Sequence, residues 1–244
     1  MSESLNLVYE AIDRQNEEET ACSRRRLIGG AAAAIGGMGL LNLSSLAEDA
    51  MAANKPQTIL NIAATAEVLA TIVNTIGYEQ VALDPVTKAN VAAAAREELI
   101  HYNVLTSVGG RALTKKIWVP DAVFANPRNF LKTLVRGDQI FVNAYMIGTT
   151  AFARRRQPKF ARYTAEFMGV EAVHRALARQ SLGLLGNDRV FMRYQFTAIE
   201  TAVTELMKAG IGFGQEGTKP GRFYFFKEVK KRTPNPVLNT YKPK

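Results

Sequence analysis

The stretch REELIH, residues 96–101, contains one of only two histidines in this 244-residue chain, and that histidine, His101, follows Glu98 by three positions. The other histidine, His174, ends the stretch GVEAVH, residues 169–174, and follows Glu171 by three positions. Residues three apart on an α-helix lie on one face about one turn apart. Each Glu-x-x-His pair therefore presents an oxygen and a nitrogen ligand side by side, as half of a metal site would.

The ligand types limit which metals such a site would bind. Carboxylate and imidazole groups suit iron, manganese or zinc. The only cysteine is Cys22, which excludes an intramolecular disulfide and a thiolate metal cage. The sequence therefore argues against copper(I) and iron–sulfur chemistry.

Apolar periodicity predicts an all-α fold of five helices. They span residues 58 to about 77, 85 to about 108, 127 to about 156 with a bend near Gly137, about 159 to 180, and 189–208. Asp84 and Pro85 form a typical start for the second helix, and Gly109 and Gly110 its stop. Residues 111–126 are predicted to form a long crossover, and the tail after residue 208 to be irregular. Within that tail, RFYFF (222–226) is predicted to be a short strand or a lid, and the last ten residues to be disordered.

Two further carboxylates lie in otherwise apolar helices. Glu67 is the only acidic residue in the first helix, and Asp138 is the only one in the third. A buried, unpaired carboxylate would cost several kcal/mol. Ferritin-like four-helix bundles build a di-iron or di-manganese centre from two Glu-x-x-His helices and two helices that each supply one carboxylate. The sequence therefore predicts a six-ligand site of Glu67, Glu98, His101, Asp138, Glu171 and His174.

Two alternatives apply to these motifs. A single Glu-x-x-His pair is also typical of a helix surface, where residues three apart often interact. Glu97 lies four positions before His101, but it is about 100 degrees around the helix from Glu98. We therefore expect Glu98, and not Glu97, to face the site.

The chain resembles the ferritin-like domain of bacterial and plant desiccation-related proteins over residues 56 to about 182. In that family a Leu-Asn pair, here Leu60 and Asn61, precedes a metal-binding Glu by six residues, which corresponds to Glu67. The segments EELIH and VEAVHRALAR resemble its two Glu-x-x-His helices. The family's third helix has a Glu seven residues before the Tyr of an Ala-Tyr pair, and Asp138, one methylene shorter, occupies that position before Tyr145.

The resemblance implies a ferritin-like four-helix bundle that binds two metal ions, iron or manganese. In this hypothesis Glu98 and Glu171 bridge the ions, His101 and His174 bind one ion each, and Glu67 and Asp138 are terminal ligands. Tyr145 and Tyr102 are expected to pack in the core, with a role as hydrogen-bond donors or redox neighbours as the alternative.

Three functions are compatible with these residues. The first is an oxidoreductase that oxidises ferrous iron or consumes peroxide, and the second is a metal-holding stress protein without turnover. The third is a fold that keeps these residues without bound metal. The long crossover, the fifth helix and the tail argue against a cage-forming storage subunit, although a homo-oligomer is compatible with the sequence.

The N-terminal residues 23–28, SRRRLI, resemble a twin-arginine export signal, and AMAA (50–53) resembles a cleavage site. We expect residues 1–52 to be this signal, with an uncleaved anchor as the alternative, residues 56–208 to be the helical domain, and 209–244 a basic tail. Export would place the protein in the periplasm, at the cell wall or outside the cell.

The formal net charge is +9, and removal of residues 1–52 would take away more acidic than basic residues. We therefore expect contact with an anionic envelope surface. The basic clusters ARRR (153–156) and KEVKKR (227–232) lack the motifs of nucleic-acid-binding domains.

Overall fold

The computed structural model describes residues 54–238, and the predicted export signal lies outside them. The fold is mostly helical, with four long helices, a small three-stranded sheet and two shorter helices. The elements in chain order are α1 (Pro56–Gln80), α2 (Pro85–Ser107), β1 (Lys116–Pro120), a 3-10 turn (Asp121–Phe124), α3 (Pro127–Arg154), α4 (Pro158–Ser181), α5 (Glu200–Lys208), β2 (Gly212–Phe213), β3 (Gly221–Phe225) and α6 (Phe226–Val229).

Each long helix begins with proline, whose fixed φ and missing N–H suit the first turn. The predicted start of α2 is confirmed, because the Asp84 side chain accepts hydrogen bonds from the backbone N–H groups of Val86 and Thr87. Asn126 caps α3 in the same way through Asn129 N–H. The third predicted helix remains a single element across Gly137.

The four long helices form a bundle in which each helix contacts two neighbours. Short turns join α1 to α2 and α3 to α4, so these pairs are antiparallel. Helix α3 also runs antiparallel to α1, because Phe130 near its start contacts Gly77 near the end of α1. Helices α2 and α4 are antiparallel as well, since the Thr87 and Ser181 hydroxyls are 2.8 Å apart. The segment between α2 and α3 consequently crosses the length of the bundle.

The predicted crossover, residues 111–126, contains a strand that was not predicted, β1. This strand lies in the centre of an antiparallel sheet with the order β2-β1-β3. Ile117 pairs with Phe213 on one side and with Tyr224 on the other. The strand predicted at RFYFF is confirmed for residues 221–225, and α6 follows it. The tail thus contributes two strands and a helical turn between residues 209 and 229.

The fifth helix is shorter than predicted, because residues 189–199 are not helical. Two buried asparagines bind the backbone of this segment. The Asn143 side chain accepts from Gln195 N–H and donates to Phe196 C=O. Asn54 accepts from Ile199 N–H and donates to Thr197 C=O. These bonds take the place of helical ones and fix the segment against the bundle.

Helix α1 runs through the core. Val68 and Ile72 are completely buried. Among the described residues, α1 is the one helix long and apolar enough to cross a membrane, and 89% of its most apolar window is buried inside the fold. A helix buried in the core of a bundle passes the same test of length and composition.

Candidate metal centre

All six predicted ligands lie on the four long helices, and all six are buried. Glu67 is on α1, Glu98 and His101 on α2, Asp138 on α3, and Glu171 and His174 on α4. The three glutamates have no exposed surface, and the other three residues are at most 9% exposed. Burying this many ionisable groups is costly unless they share protons or bind cations.

Four of the six residues form one compact group. One ligand atom from each of Glu67, Glu98, His101 and Glu171 lies within 4.8 Å of every other. The His101 Nδ1 atom is 3.7 Å from Glu67 Oε1, 3.6 Å from Glu98 Oε2 and 3.8 Å from Glu171 Oε1. Ligand atoms about 2.1 Å from a shared ion are separated by roughly 3 to 4 Å. The spacing is therefore close to that of a metal's coordination shell.

The second imidazole faces the same two central carboxylates from the other side. His174 Nδ1 is 3.2 Å from Glu98 Oε1 and 3.7 Å from Glu171 Oε2. Glu98 thus directs one oxygen toward His101 and the other toward His174, and Glu171 does the same. Both Glu-x-x-His pairs face one another across the bundle core, as their spacing predicted.

The facing atoms have hydrogen-bonding capacity that the protein does not use. Both oxygens of Glu98 and of Glu171, one oxygen of Glu67 and the Nδ1 atoms of both histidines are buried without a hydrogen-bond partner among the described residues. Buried polar atoms are nearly always paired in folded proteins. Seven such atoms at one place fit a bound cation, and the ligand chemistry fits iron or manganese.

The electrostatics of the cluster also favour a cation. Burial and the nearby Glu98 raise the pKa of Glu67 from 4.5 to about 8. Burial and Glu98 also raise the pKa of Glu171 well above its usual range. Burial alone would lower the pKa of His101, but Glu67 and Glu98 raise it to about 10. The metal-free cluster therefore retains protons at neutral pH that bound metal ions would displace.

Glu98 differs from the other carboxylates. Burial raises its pKa, but the adjacent His174 and His101 outweigh that effect and bring the pKa below its ordinary value. Glu98 lies between the two imidazoles and is the carboxylate most readily ionised. This is the position that a bridging carboxylate would occupy.

Asp138 lies beside the cluster and not within the group of four. Its side chain is 5% exposed, and its Oδ2 atom has no hydrogen-bond partner among the described residues. Burial raises its pKa well above the usual range, and His174 and Arg175 oppose that rise. Among residues 54–238, the carboxylates within 4.0 Å of the two histidines come from Glu67, Glu97, Glu98 and Glu171. Ligation by Asp138 stays a prediction.

Glu97 has a contact that the sequence interpretation missed. It lies outside the cluster of four, but its Oε2 atom is 2.6 Å from Nε2 of His174. Metal-binding histidines commonly donate their second N–H to a carboxylate, which fixes the ring and its tautomer. The direction of Glu97 around α2 differs from that of Glu98, but its side chain reaches across to α4.

The two tyrosines have different roles. The Tyr145 hydroxyl donates a short hydrogen bond to Glu67 Oε1, so this side chain orients a cluster carboxylate and does not only fill the core. Tyr102 packs edge-on against Phe226 with ring centroids 4.7 Å apart, as expected for a core residue. The ring of Phe167 stacks on the imidazole of His101, with ring centroids 4.0 Å apart.

A buried arginine follows His174 and was not predicted. Arg175 is 4% exposed and donates two hydrogen bonds to Asp188, at 2.8 and 3.0 Å. Arg179 contacts the same carboxylate at 3.1 Å. These pairs fix the segment after α4 beside the cluster. No local sequence signal marks them, because Asp188 lies beyond the helix in an irregular segment.

Comparison of the chain with protein-family models, with curated proteins and with solved structures finds no match.

Proposed function

We propose that this protein binds two first-row transition-metal ions, iron or manganese, in a ferritin-like four-helix bundle and reacts with oxygen, peroxide or ferrous iron. The observation that carries the proposal is the convergence of seven buried, unpartnered oxygen and nitrogen atoms on two Glu-x-x-His pairs. Four antiparallel helix contacts and a single long crossover support the ferritin-like arrangement.

The arrangement of the two central carboxylates supports a site for two ions. Glu98 and Glu171 each direct one oxygen to His101 and one to His174, so each carboxylate could be shared between two neighbouring ions. Glu67 would complete the first position, and Asp138, which borders the same small cavity as His174, is proposed as the further carboxylate for the second. Four carboxylates would offset the charge of two divalent ions. Such a pair of ions supplies redox chemistry and open coordination positions for a small oxidant.

The surrounding side chains would support this chemistry in defined ways. Tyr145 orients Glu67 by donating its hydroxyl hydrogen. Glu97 Oε2 contacts Nε2 of His174, and by accepting the proton of that nitrogen it would favour the neutral tautomer whose Nδ1 lone pair is free for a metal. A cavity of about 20 Å³ borders His174, which is room for one water-sized molecule. A space of this size would favour a small oxidant such as oxygen or peroxide over a bulky substrate.

The second candidate is a metal-holding stress protein without turnover. It is favoured by the enclosure of the cluster, since no proposed ligand is more than 9% exposed. Both candidates share the metal site and differ in whether a small oxidant is consumed repeatedly.

The test is a turnover assay on the full chain loaded with manganese or iron. Consumption of many equivalents of peroxide or ferrous ion per chain, lost in the double variant His101→Ala, His174→Ala, supports the oxidoreductase. Uptake that stops at a fixed small number of ions supports the metal-holding protein. A chain that binds neither metal contradicts both.

We also propose that the protein is exported by the twin-arginine pathway. The support is the stretch SRRRLI at residues 23–28, and the net charge of +9 would favour an anionic envelope surface. A reporter that is active only after export, fused to residues 1–53 with Arg24 and Arg25 either intact or replaced by lysine, tests this. Export that is unaffected by the replacement would contradict the proposal.

A further inference from the structure

A second, larger cavity lies between α1, α3 and α5 and shares Asn74, Leu134 and Asp138 with the 20 Å³ cavity. Its volume is about 230 Å³, and its walls are mainly apolar: Leu69, Val73, Leu134, Ile140, Phe141 and Leu206. An apolar cavity of roughly 150 Å³ is enough to bind benzene. This cavity therefore has room for a substituted aromatic ring or a short aliphatic chain.

Two buried polar atoms border the cavity without partners. Asn74 is 3% exposed, and its Nδ2 donates to Ala70 C=O at 3.1 Å, while its Oδ1 has no hydrogen-bond partner in residues 54–238. The Oδ2 atom of Asp138 likewise has no hydrogen-bond partner in these residues. Folded proteins seldom leave such buried polar atoms unpaired. A ligand that donates a hydrogen bond, such as a hydroxyl group, would satisfy one or both.

The exposed edge of the cavity is positive. Lys132 and Arg136 both line it, are exposed, and lie one turn apart on α3. Neither forms an ion pair with a carboxylate in the described part of the chain. Two unpaired cations at the mouth of an apolar cavity favour a ligand with an anionic end.

We propose that this cavity binds a small hydroxyaryl carboxylate or a similar organic anion. The carboxylate lies at Lys132 and Arg136, the ring lies between the apolar walls, and the hydroxyl donates to Asn74 or Asp138. The site goes beyond the proposed metal function and does not require bound metal. It does adjoin the metal centre, because Asp138 also borders the cavity that contains His174.

Gly137 provides a way to fill the cavity. This residue lines it, and a Cβ added there would meet no other atom within 4 Å. Gly137→Leu should therefore add a side chain at the wall of the cavity without straining α3, and we expect it to reduce the space for a ligand. Gly169→Leu is the matched control, because a Cβ at Gly169 on α4 also meets nothing within 4 Å and lies on the exposed surface.

The experiment measures binding of 4-hydroxybenzoate to the full chain by calorimetry, both with chelator and after metal loading. We expect saturable binding that Gly137→Leu abolishes and Gly169→Leu leaves unchanged. Benzoate, which lacks the hydroxyl, and 4-hydroxybenzyl alcohol, which lacks the charge, should each bind about tenfold more weakly, as expected for one lost polar contact. The double variant Lys132→Gln, Arg136→Gln should remove the preference for the anion.

The outcomes separate this proposal from the metal proposal. Binding of 4-hydroxybenzoate by a chain that takes up no metal supports the cavity and contradicts the metal function. Metal uptake without binding of any of the three probes overturns the cavity proposal. Binding that Gly137→Leu does not alter overturns it as well, because the probe would then lie elsewhere.

Discussion

The metal-free protein should lose stability as the pH rises, and bound metal should prevent that loss. Glu67 has a pKa of about 8 in the folded state, compared with 4.5 for the ordinary group. The folded state therefore holds a proton that the unfolded state has released, and stability is lost as the pH rises toward 8. From pH 5 to pH 8 this loss amounts to about 3 to 4 kcal/mol for Glu67 alone. His101, with a pKa of about 10, adds a loss of the same sign above pH 6.5.

The assay is thermal unfolding followed by helical circular dichroism at pH 5, 6, 7 and 8, with chelator or with added manganese. A change of 3 to 4 kcal/mol corresponds to a fall in Tm of about 10 °C for a domain of this size. The metal-loaded protein should change much less, because the ions replace the displaced protons. The variant Glu67→Gln should show a smaller dependence on pH without metal. Its control is Glu79→Gln, at the end of the same helix. The Glu79 carboxylate is exposed and pairs with Arg232 at 2.9 Å. A metal-free Tm that is constant or rises from pH 5 to pH 8 would refute the reasoning.

Two further substitutions test a hydrogen bond at the cluster and the packing of α1 against α3. Tyr145→Phe removes the hydroxyl that donates to Glu67. Metal affinity, measured by competition with a chelating dye, should therefore fall about 10- to 100-fold. An unchanged affinity would count against an orienting role for Tyr145. Gly77→Ala places a Cβ against the completely buried Phe130 ring and should lower the unfolding free energy by about 1 to 3 kcal/mol in urea. The same change at Gly169, where the added Cβ is free, should raise it by up to about 1 kcal/mol.

The helices and the cluster were predictable because their signals are local. Asp84 and Pro85 mark a helix start through neighbouring backbone groups alone. The spacing of three between Glu98 and His101 fixes a shared helix face in any α-helix. A lone carboxylate in an apolar helix, such as Glu67, identifies a buried position that needs a partner.

The errors arose where distant residues decide the local structure. Residues 189–199 have a helical apolar pattern, but Asn54 and Asn143 bind their backbone from more than 50 positions away. The strand β1 is stabilised by pairing with residues about 100 positions later in the chain, so its own sequence carries little of the signal. The contact of Glu97 with His174 likewise depends on how α2 and α4 lie side by side.

The most direct measurement is the metal content of the purified full chain beside the double variant His101→Ala, His174→Ala, with helical circular dichroism to show that the variant is folded. The isosteric pair Glu98→Gln, Glu171→Gln removes the bridging charges with less change in shape and serves as the second variant. We expect about two iron or manganese ions per wild-type chain and a loss of both ions in each variant. Equal metal content in the wild type and a folded variant, or no metal in the wild type after loading, would contradict a metal centre between the four helices.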